Sequence, residues 1–307
     1  MSQSLSLCLF GKKFNNPLFL PSGIINNIPD HYQAIRAGVG AIVLKSVTVE
    51  KREGNPIPRV AKYDCGFINS VGLRNPGLKD AKKQIAVFLK KTKVPVIVSV
   101  FAAKVEDFQR LVFEMSKLNP TAIELNLSCP NVSDEFGESI ANKVESVSKM
   151  IKLVKKEAGK VPITCKLSPN VDNIGEVAKA CEQAGADAIA AINSVSQGMV
   201  IDIKRRHPVL GNKKGGVSGP GIKPIAIAKV YEIYEAVKIP ILGIGGISSW
   251  QDAVEMMMAG ASLVGVGSVV YSKGFGVFKD INKGIKKFMK EEKIFNVKSL
   301  IGVAHEK

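Results

Sequence analysis

The segment IELNLSCPNV, residues 123–132, ends an apolar run in a thiol, with Cys129 set between a serine and a proline. A cysteine there has two readings: a small buried residue, as free cysteines often are, or a thiol whose deprotonated form does chemistry. Lys45 in AIVLKS and Lys166 in PITCKL likewise close apolar runs. Their stems can pack on apolar surface with the charge in water, or their ammonium groups can converge on a ligand and stabilise its negative charge. GIGG (243–246) and GVGS (265–268) supply glycines that let backbone N–H groups approach an anion, and Ser268 adds a hydroxyl donor. Glycine also relieves crowding between strand and helix. Asn69, Asn75, Asn126, Asn131 and Asn193 offer paired donors and acceptors to a planar polar substrate, although each also suits a turn.

Composition narrows the classes. A chain of 307 residues that is 46% hydrophobic buries a large core and is not disordered. Its formal charge of +16 can steer acidic ligands. The lysines, however, spread along helical segments such as KLVKKEAGK, without the interleaved aromatics of a nucleic-acid groove. The five cysteines, Cys8, Cys65, Cys129, Cys165 and Cys181, are odd in number and widely spaced. With three histidines beside them, the expectation is reduced thiols and no metal. No secretory leader or long uncharged apolar stretch is evident, so the expected location is the cytoplasm, without membrane insertion.

The elements that must position these residues follow from recurring phrases. KVPVIVSV, KVPITCKL and KIPILGIG each place a proline at a strand entrance. RAGVGAIVLKS, QAGADAIAAIN and MAGASLVGVGS each end a helix at Ala-Gly and enter a buried strand. With LFLPSG and TAIELNLS they make eight apolar runs. Val105, Phe108, Leu111, Val112, Met115 and Leu118 form one helical stripe between runs, and Ile227, Val230, Tyr231, Tyr234 and Val237 another. The pattern predicts a single α/β domain over residues 1–307, a (β/α)8 TIM barrel, with a doubly wound open sheet as the competitor. The opening LSLCLFGKKFNNPLF predicts an N-terminal β-hairpin at the barrel bottom. The long connections 47–77 and 194–221 are expected to cover the C-terminal mouth.

Chemistry in a barrel lies beyond the C-terminal strand ends. Ser22 and Gly23 fall at the first exit, Lys45 and Ser46 at the second, and Ser99 near the third. Asn126, Ser128 and Cys129 fall at the fourth and Lys166 at the fifth. Asn193 and Ser194 mark the sixth, Gly245 and Gly246 the seventh, and Gly267 and Ser268 the eighth. Phosphate sites in barrels often follow strands seven and eight, so the glycine pairs together favour a phosphorylated ligand.

GNPIPRV, GFINSVGLRNPG, ELNLSCPNV, CKLSPN, INSVSQGMVIDI, GGVSGPGIKPIAI and GIGGI occur in one order over nearly the whole chain. In that series the chain resembles flavin-dependent dihydroorotate dehydrogenase of the cysteine-using class 1. The long sixth-exit loop and GGVSGPGIKPIAI are similar to the NAD-dependent subtype, class 1B, whose catalytic chain pairs with an electron-transfer subunit. The resemblance implies an FMN with its phosphate against Gly245, Gly246, Gly267 and Ser268. Ser22, Gly23, Lys45, Ser46, Ile192 and Gly219 would contact other parts of it, with Ser99 among the cofactor positions. Lys166 would lie by the pyrimidine edge of the ring and favour its anionic reduced form, while Asn126 would bridge flavin and substrate. Lys45, Asn69, Ser70, Val71, Gly72, Leu73, Asn131, Asn193 and Ser194 match orotate-binding positions. Cys129 matches the base that removes the C5 proton of dihydroorotate as the C6 hydride leaves.

The resemblance also implies a homodimer core within a heterotetramer, its second subunit carrying FAD and a [2Fe-2S] cluster. Ser46, Ser194 and Ser268 stand where related chains often use threonine, keeping the hydroxyl and losing a methyl contact. SGIINNIPDHY and SVFAAKVEDF depart from the family's usual first and third exits. A related FMN enzyme acting on dihydrouracil, one using fumarate or another acceptor, and a noncatalytic flavin-binding subunit remain open alternatives.

Overall fold

The computed structural model describes residues 3–127 and 144–305. Eight parallel strands follow one another around a closed barrel: Leu18–Leu20, Ala41–Val43, Val96–Val100, Ala122–Asn126, Ile163–Lys166, Ala188–Ala191, Ile241–Ile244 and Leu263–Gly265. The eighth pairs with the first, Val264 opposite Leu18, so the sheet has no edges and the open doubly wound alternative is excluded.

Local chemistry explains the strand boundaries. Pro95, Pro162 and Pro240 precede the third, fifth and seventh strands, and their carbonyls accept from Ile42, Ile123 and Ile189 at 3.0, 2.8 and 3.0 Å. Each proline thus serves the ladder as an acceptor where its missing donor costs nothing. The helices Ile28–Arg36, Ile174–Gln183 and Trp250–Met258 each run into Ala-Gly, with Gly38, Gly185 and Gly260 at φ 85°, 99° and 122°. Beyond them the N–H groups of Val39, Ala186 and Ala261 reach back to the carbonyls of Ala34, Cys181 and Met256. Such a closure favours glycine and turns the chain straight into the next strand.

The helix Val105–Ser116 buries Phe108, Leu111, Val112 and Met115 of the expected stripe, with Val105 half-buried and Leu118 beyond the last helical residue, both packed on the core. On Lys223–Ala236 the deepest residues are Ala226, Val230 and Ile233. Tyr231 and Tyr234 stand at the flank and pack on His305, ring centroids 3.6 and 4.6 Å apart. The C-terminal turn Val303–His305 therefore gives this helix a second partner, which widened the apolar face seen in the sequence.

The N-terminal hairpin pairs Leu7–Leu9 with Lys12–Phe14 and buries Leu7, Leu9 and Phe14 just before the chain enters the first strand. The two long connections do more than cover the mouth. Val60–Tyr63 and Gly66–Asn69 from the first join Gly215–Ser218 and Val195–Gly198 from the second in one four-stranded sheet. Gly216 lies opposite Asn69, and Ser218 opposite Phe67. Among the described residues, no helix is long and apolar enough to cross a membrane.

Candidate active site

Between this sheet and the barrel mouth lies a cavity lined by residues from seven strand exits. Ser22 and Gly23 come from the first, Lys45 and Ser46 from the second, Asn126 from the fourth and Lys166 from the fifth. Ile192, Asn193 and Ser194 come from the sixth, Gly245 and Gly246 from the seventh, and Gly267 and Ser268 from the eighth. The covering segments add Asn69, Val71, Gly72, Leu73 and Gly219. Cys129 and Asn131 lie outside the described residues.

Two expected site residues stand off the cavity. Ser70 is fully buried and accepts from Asn55 Nδ2 at 2.7 Å and Asn212 Nδ2 at 3.0 Å, tying the two long connections together. Ser99 lies inside the third strand rather than at its exit and reaches the cavity through Ser46.

The side formed by strands two to five is built from side chains. Ser46 Oγ sits 2.9 Å from Ser99 Oγ and 3.3 Å from Ser22 Oγ, and accepts from Asn126 Nδ2 at 3.2 Å. Asn126 and Lys166 are cross-strand partners, only 6% and 5% exposed. The Lys45 ammonium reaches across to the first exit, 3.6 Å from where a Cβ on Gly23 would stand. Lys166 is buried in this low-dielectric wall and Lys45 half-buried at its rim, so the field over the cavity is stronger than surface lysines would give.

The opposite side is built from backbone. Gly245 and Gly246 have φ of 139° and 76°, and a Cβ would fall 2.4 Å from Ala226 Cβ and 2.5 Å from Lys223 Cβ respectively. Relief of crowding is thus real at both, and it draws the start of helix Lys223–Ala236 to the cavity, where Gly219 and Ile222 line the wall. That helix has no side-chain cap and no acidic residue in its first turn, so its positive end is open to an anion.

Sequence reading missed three residues here. Phe67 lines the cavity and shares a strand face with Asn69, a period-two signal present in GFIN. Tyr271 packs near it, ring centroids 5.7 Å apart, and donates to the Ile24 carbonyl at 2.6 Å. Its place three residues beyond Ser268 carried no motif. Glu124 is a carboxyl in the middle of the apolar run AIELN, 1% exposed, on the same strand face as Asn126. Burial pushes its carboxyl above the ordinary glutamate range, against the pull of Lys166 and a hydrogen bond with Ser99.

The family model described as dihydroorotate dehydrogenase matches residues 4–289. A Pyrococcus abyssi protein named dihydroorotate dehydrogenase B (NAD(+)), catalytic subunit, is 44% identical over 305 residues, covering 98% of this chain and 99% of its own. Proteins of the same name from Thermoplasma volcanium and Methanosarcina mazei are 42% and 39% identical, over 98% of this chain in each case and 98% and 96% of their own. With the barrel, the covered mouth and the two-sided cavity in agreement, the chain belongs to the dihydroorotate dehydrogenase family.

Proposed function

We propose that this chain is the catalytic subunit of an NAD-dependent dihydroorotate dehydrogenase, oxidising (S)-dihydroorotate to orotate in pyrimidine biosynthesis. The observation that carries the reading is the cavity itself, where buried Lys166 and Asn126 face glycine exits across a closed barrel mouth. That arrangement fits FMN. The uncapped helix start with Gly245, Gly246, Gly267 and Ser268 would hold its phosphate, and Lys166 with Asn126 would meet its ring. Bound there, FMN would accept the substrate's hydride, and with it the two electrons of the oxidation.

The protein's own groups do the rest. Lys166 offsets negative charge that develops in the wall beside it. Lys45, Asn69, Asn193 and Ser194 orient a carboxylate-bearing pyrimidine at the covered end of the cavity, joined there by Val71, Gly72 and Leu73. Asn69 is itself fixed, donating through Nδ2 to the Gly216 carbonyl at 3.1 Å. The four-stranded sheet excludes water from this end. Cys129 takes the proton from substrate C5, and Asn131 joins the substrate contacts. Electrons leave through a second subunit bearing FAD and a [2Fe-2S] cluster, in a cytoplasmic heterotetramer around a dimer of this chain. The relatives' name, which includes "catalytic subunit", supports that partner.

Anaerobic stopped-flow mixing with dihydroorotate tests the assignment. The wild-type FMN complex should bleach, and Cys129→Ser should keep its FMN but bleach about 10²–10⁴-fold more slowly at neutral pH, the usual worth of a positioned base. Unchanged bleaching in Cys129→Ser defeats the base, and bleaching by dihydrouracil but not dihydroorotate defeats the substrate.

A further inference from the structure

Below the layer of Asn126 and Lys166 lies a second layer of polar groups that the proposed chemistry does not use. Strand register sets Ser99 beside Glu124 and Glu124 beside Thr164, one step inward from Asn126 and Lys166. All three side chains are within 1% of complete burial. A carboxyl at the centre of a barrel is costly unless something compensates it. Two compensations are present: the field of Lys166 and a hydrogen bond with Ser99. Glu124 Oε1 and Thr164 Oγ1 have no hydrogen-bond partner among the described residues, so Oε1 is an unmatched acceptor that a proton would neutralise.

Ser99 connects this carboxyl to the cavity. From Glu124 the contacts run through Ser99 to Ser46, then to Asn126 and Ser22 at the wall. Hydroxyls can donate in either direction, so the chain has two orientations. With Glu124 ionised, Ser99 donates to the carboxylate, Ser46 donates to Ser99, and Ser22 and Asn126 donate to Ser46. With Glu124 protonated, the carboxyl donates to Ser99, Ser99 donates to Ser46, and Ser46 donates to Ser22, which frees the Ser22 hydroxyl for the cavity.

We propose that Glu124 is a positioning residue: a buried carboxyl, linked to the cavity wall through Ser99 and Ser46, that gains a proton when negative charge is added to the cavity and so orients the wall's donors. The inference rests on the flavin reading of this cavity. Lys166 is shared between Glu124 and whatever lies above it. An electron-rich ring drawn to that ammonium reduces the compensation left for Glu124, and proton uptake follows. The groups facing Glu124 from the packed strands are Ser99 on the third, Thr164 and Lys166 on the fifth, and the alanines Ala188 and Ala190 on the sixth, with Lys45 further out at the mouth.

The test is the midpoint potential of FMN bound to the full chain, measured against pH. Wild type should take up one more proton per two electrons than Glu124→Gln across the pH window bounded by the carboxyl's values before and after flavin reduction. Ser99→Ala, which keeps the carboxyl and removes the hydrogen bond that favours its ionised form, should move that window to higher pH. If Glu124→Gln does not fold, Ser99→Ala carries the test alone, and a window left where wild type has it overturns the proposal. Equal slopes in wild type and Glu124→Gln overturn the role of Glu124 while the flavin reading stands. Failure of the wild-type chain to bind FMN removes both.

Discussion

The two halves of the barrel mouth meet one cavity in opposite ways. Strands two to five present side chains, with Ser46, Ser99, Glu124, Asn126, Thr164 and Lys166 all at least nine-tenths buried. Strands seven and eight present backbone, with glycine where a side chain would collide with helix Lys223–Ala236 at the seventh exit and press on Ile24 at the eighth. The difference separates two tasks. A wall of buried charge and hydroxyls sets energies and can be altered without changing shape. A wall of glycine sets shape, and alteration there changes packing before it changes chemistry. Substitutions on the two sides should therefore fail in different assays.

The largest effect is expected at Lys166. Lys166→Met keeps most of the stem volume and removes the charge, and Glu124 can protonate to avoid an uncompensated carboxylate. Flavin reduction by dihydroorotate should fall about 10²–10³-fold, the scale of losing one preorganised electrostatic contact, while the melting temperature changes little. A turnover within about twofold of wild type would erase the distinction between the two walls.

Gly246→Ala probes the other side. Its φ of 76° disfavours any side chain, and the new Cβ would meet Lys223 Cβ at 2.5 Å. The expected cost is about 2–3 kcal/mol in urea denaturation, with FMN content reduced and the residual holoenzyme reducing at nearly the wild-type rate. Full stability with normal FMN content would show that this wall tolerates side chains after all.

The same division governs what the sequence could reveal. Barrel strands were legible because each is a short apolar run with chemical punctuation, Pro95 or Pro162 at an entrance and Gly185 or Gly260 behind a helix. Strand exits then placed Lys45, Asn126, Lys166 and Gly245 at the mouth, where the structure finds them. The pairing of Gly66–Asn69 with Gly215–Ser218 was not legible, because strands about 150 residues apart leave no local signal of their register. Glu124 was hidden for a related reason. One carboxylate in AIELN reads as an irregularity until the neighbouring strands show Ser99 and Thr164 beside it. Ser99 illustrates the boundary error that matters most: one or two residues of strand length separate a cavity-lining hydroxyl from one buried beneath it.

The smallest effect is expected where the glycine wall is anchored. Asp252 accepts from Ser248 N and Oγ, Ser249 N and Lys223 Nζ, each at 2.9 Å, while Ser249 caps its backbone N–H at 3.3 Å. This capping box fixes the turn that follows Gly246 to two helices at once. Burial raises the Asp252 carboxyl, but the hydrogen bonds from Lys223, Ser248 and Ser249 outweigh it and hold the group below the ordinary aspartate value. A depressed native value means that the stabilisation is fully present above the unfolded value of about 3.9 and is lost as pH falls through the native one. Asp252→Asn should therefore cost about 1–2 kcal/mol in urea denaturation at pH 7, and the gap from wild type should close towards acid. Turnover should stay within about twofold, since Asp252 acts on the shape of the wall and contributes no charge to the cavity lining. A gap that widened towards acid would reverse the sign of the linkage, and a large loss of turnover without loss of stability would move Asp252 to the chemical side of the mouth.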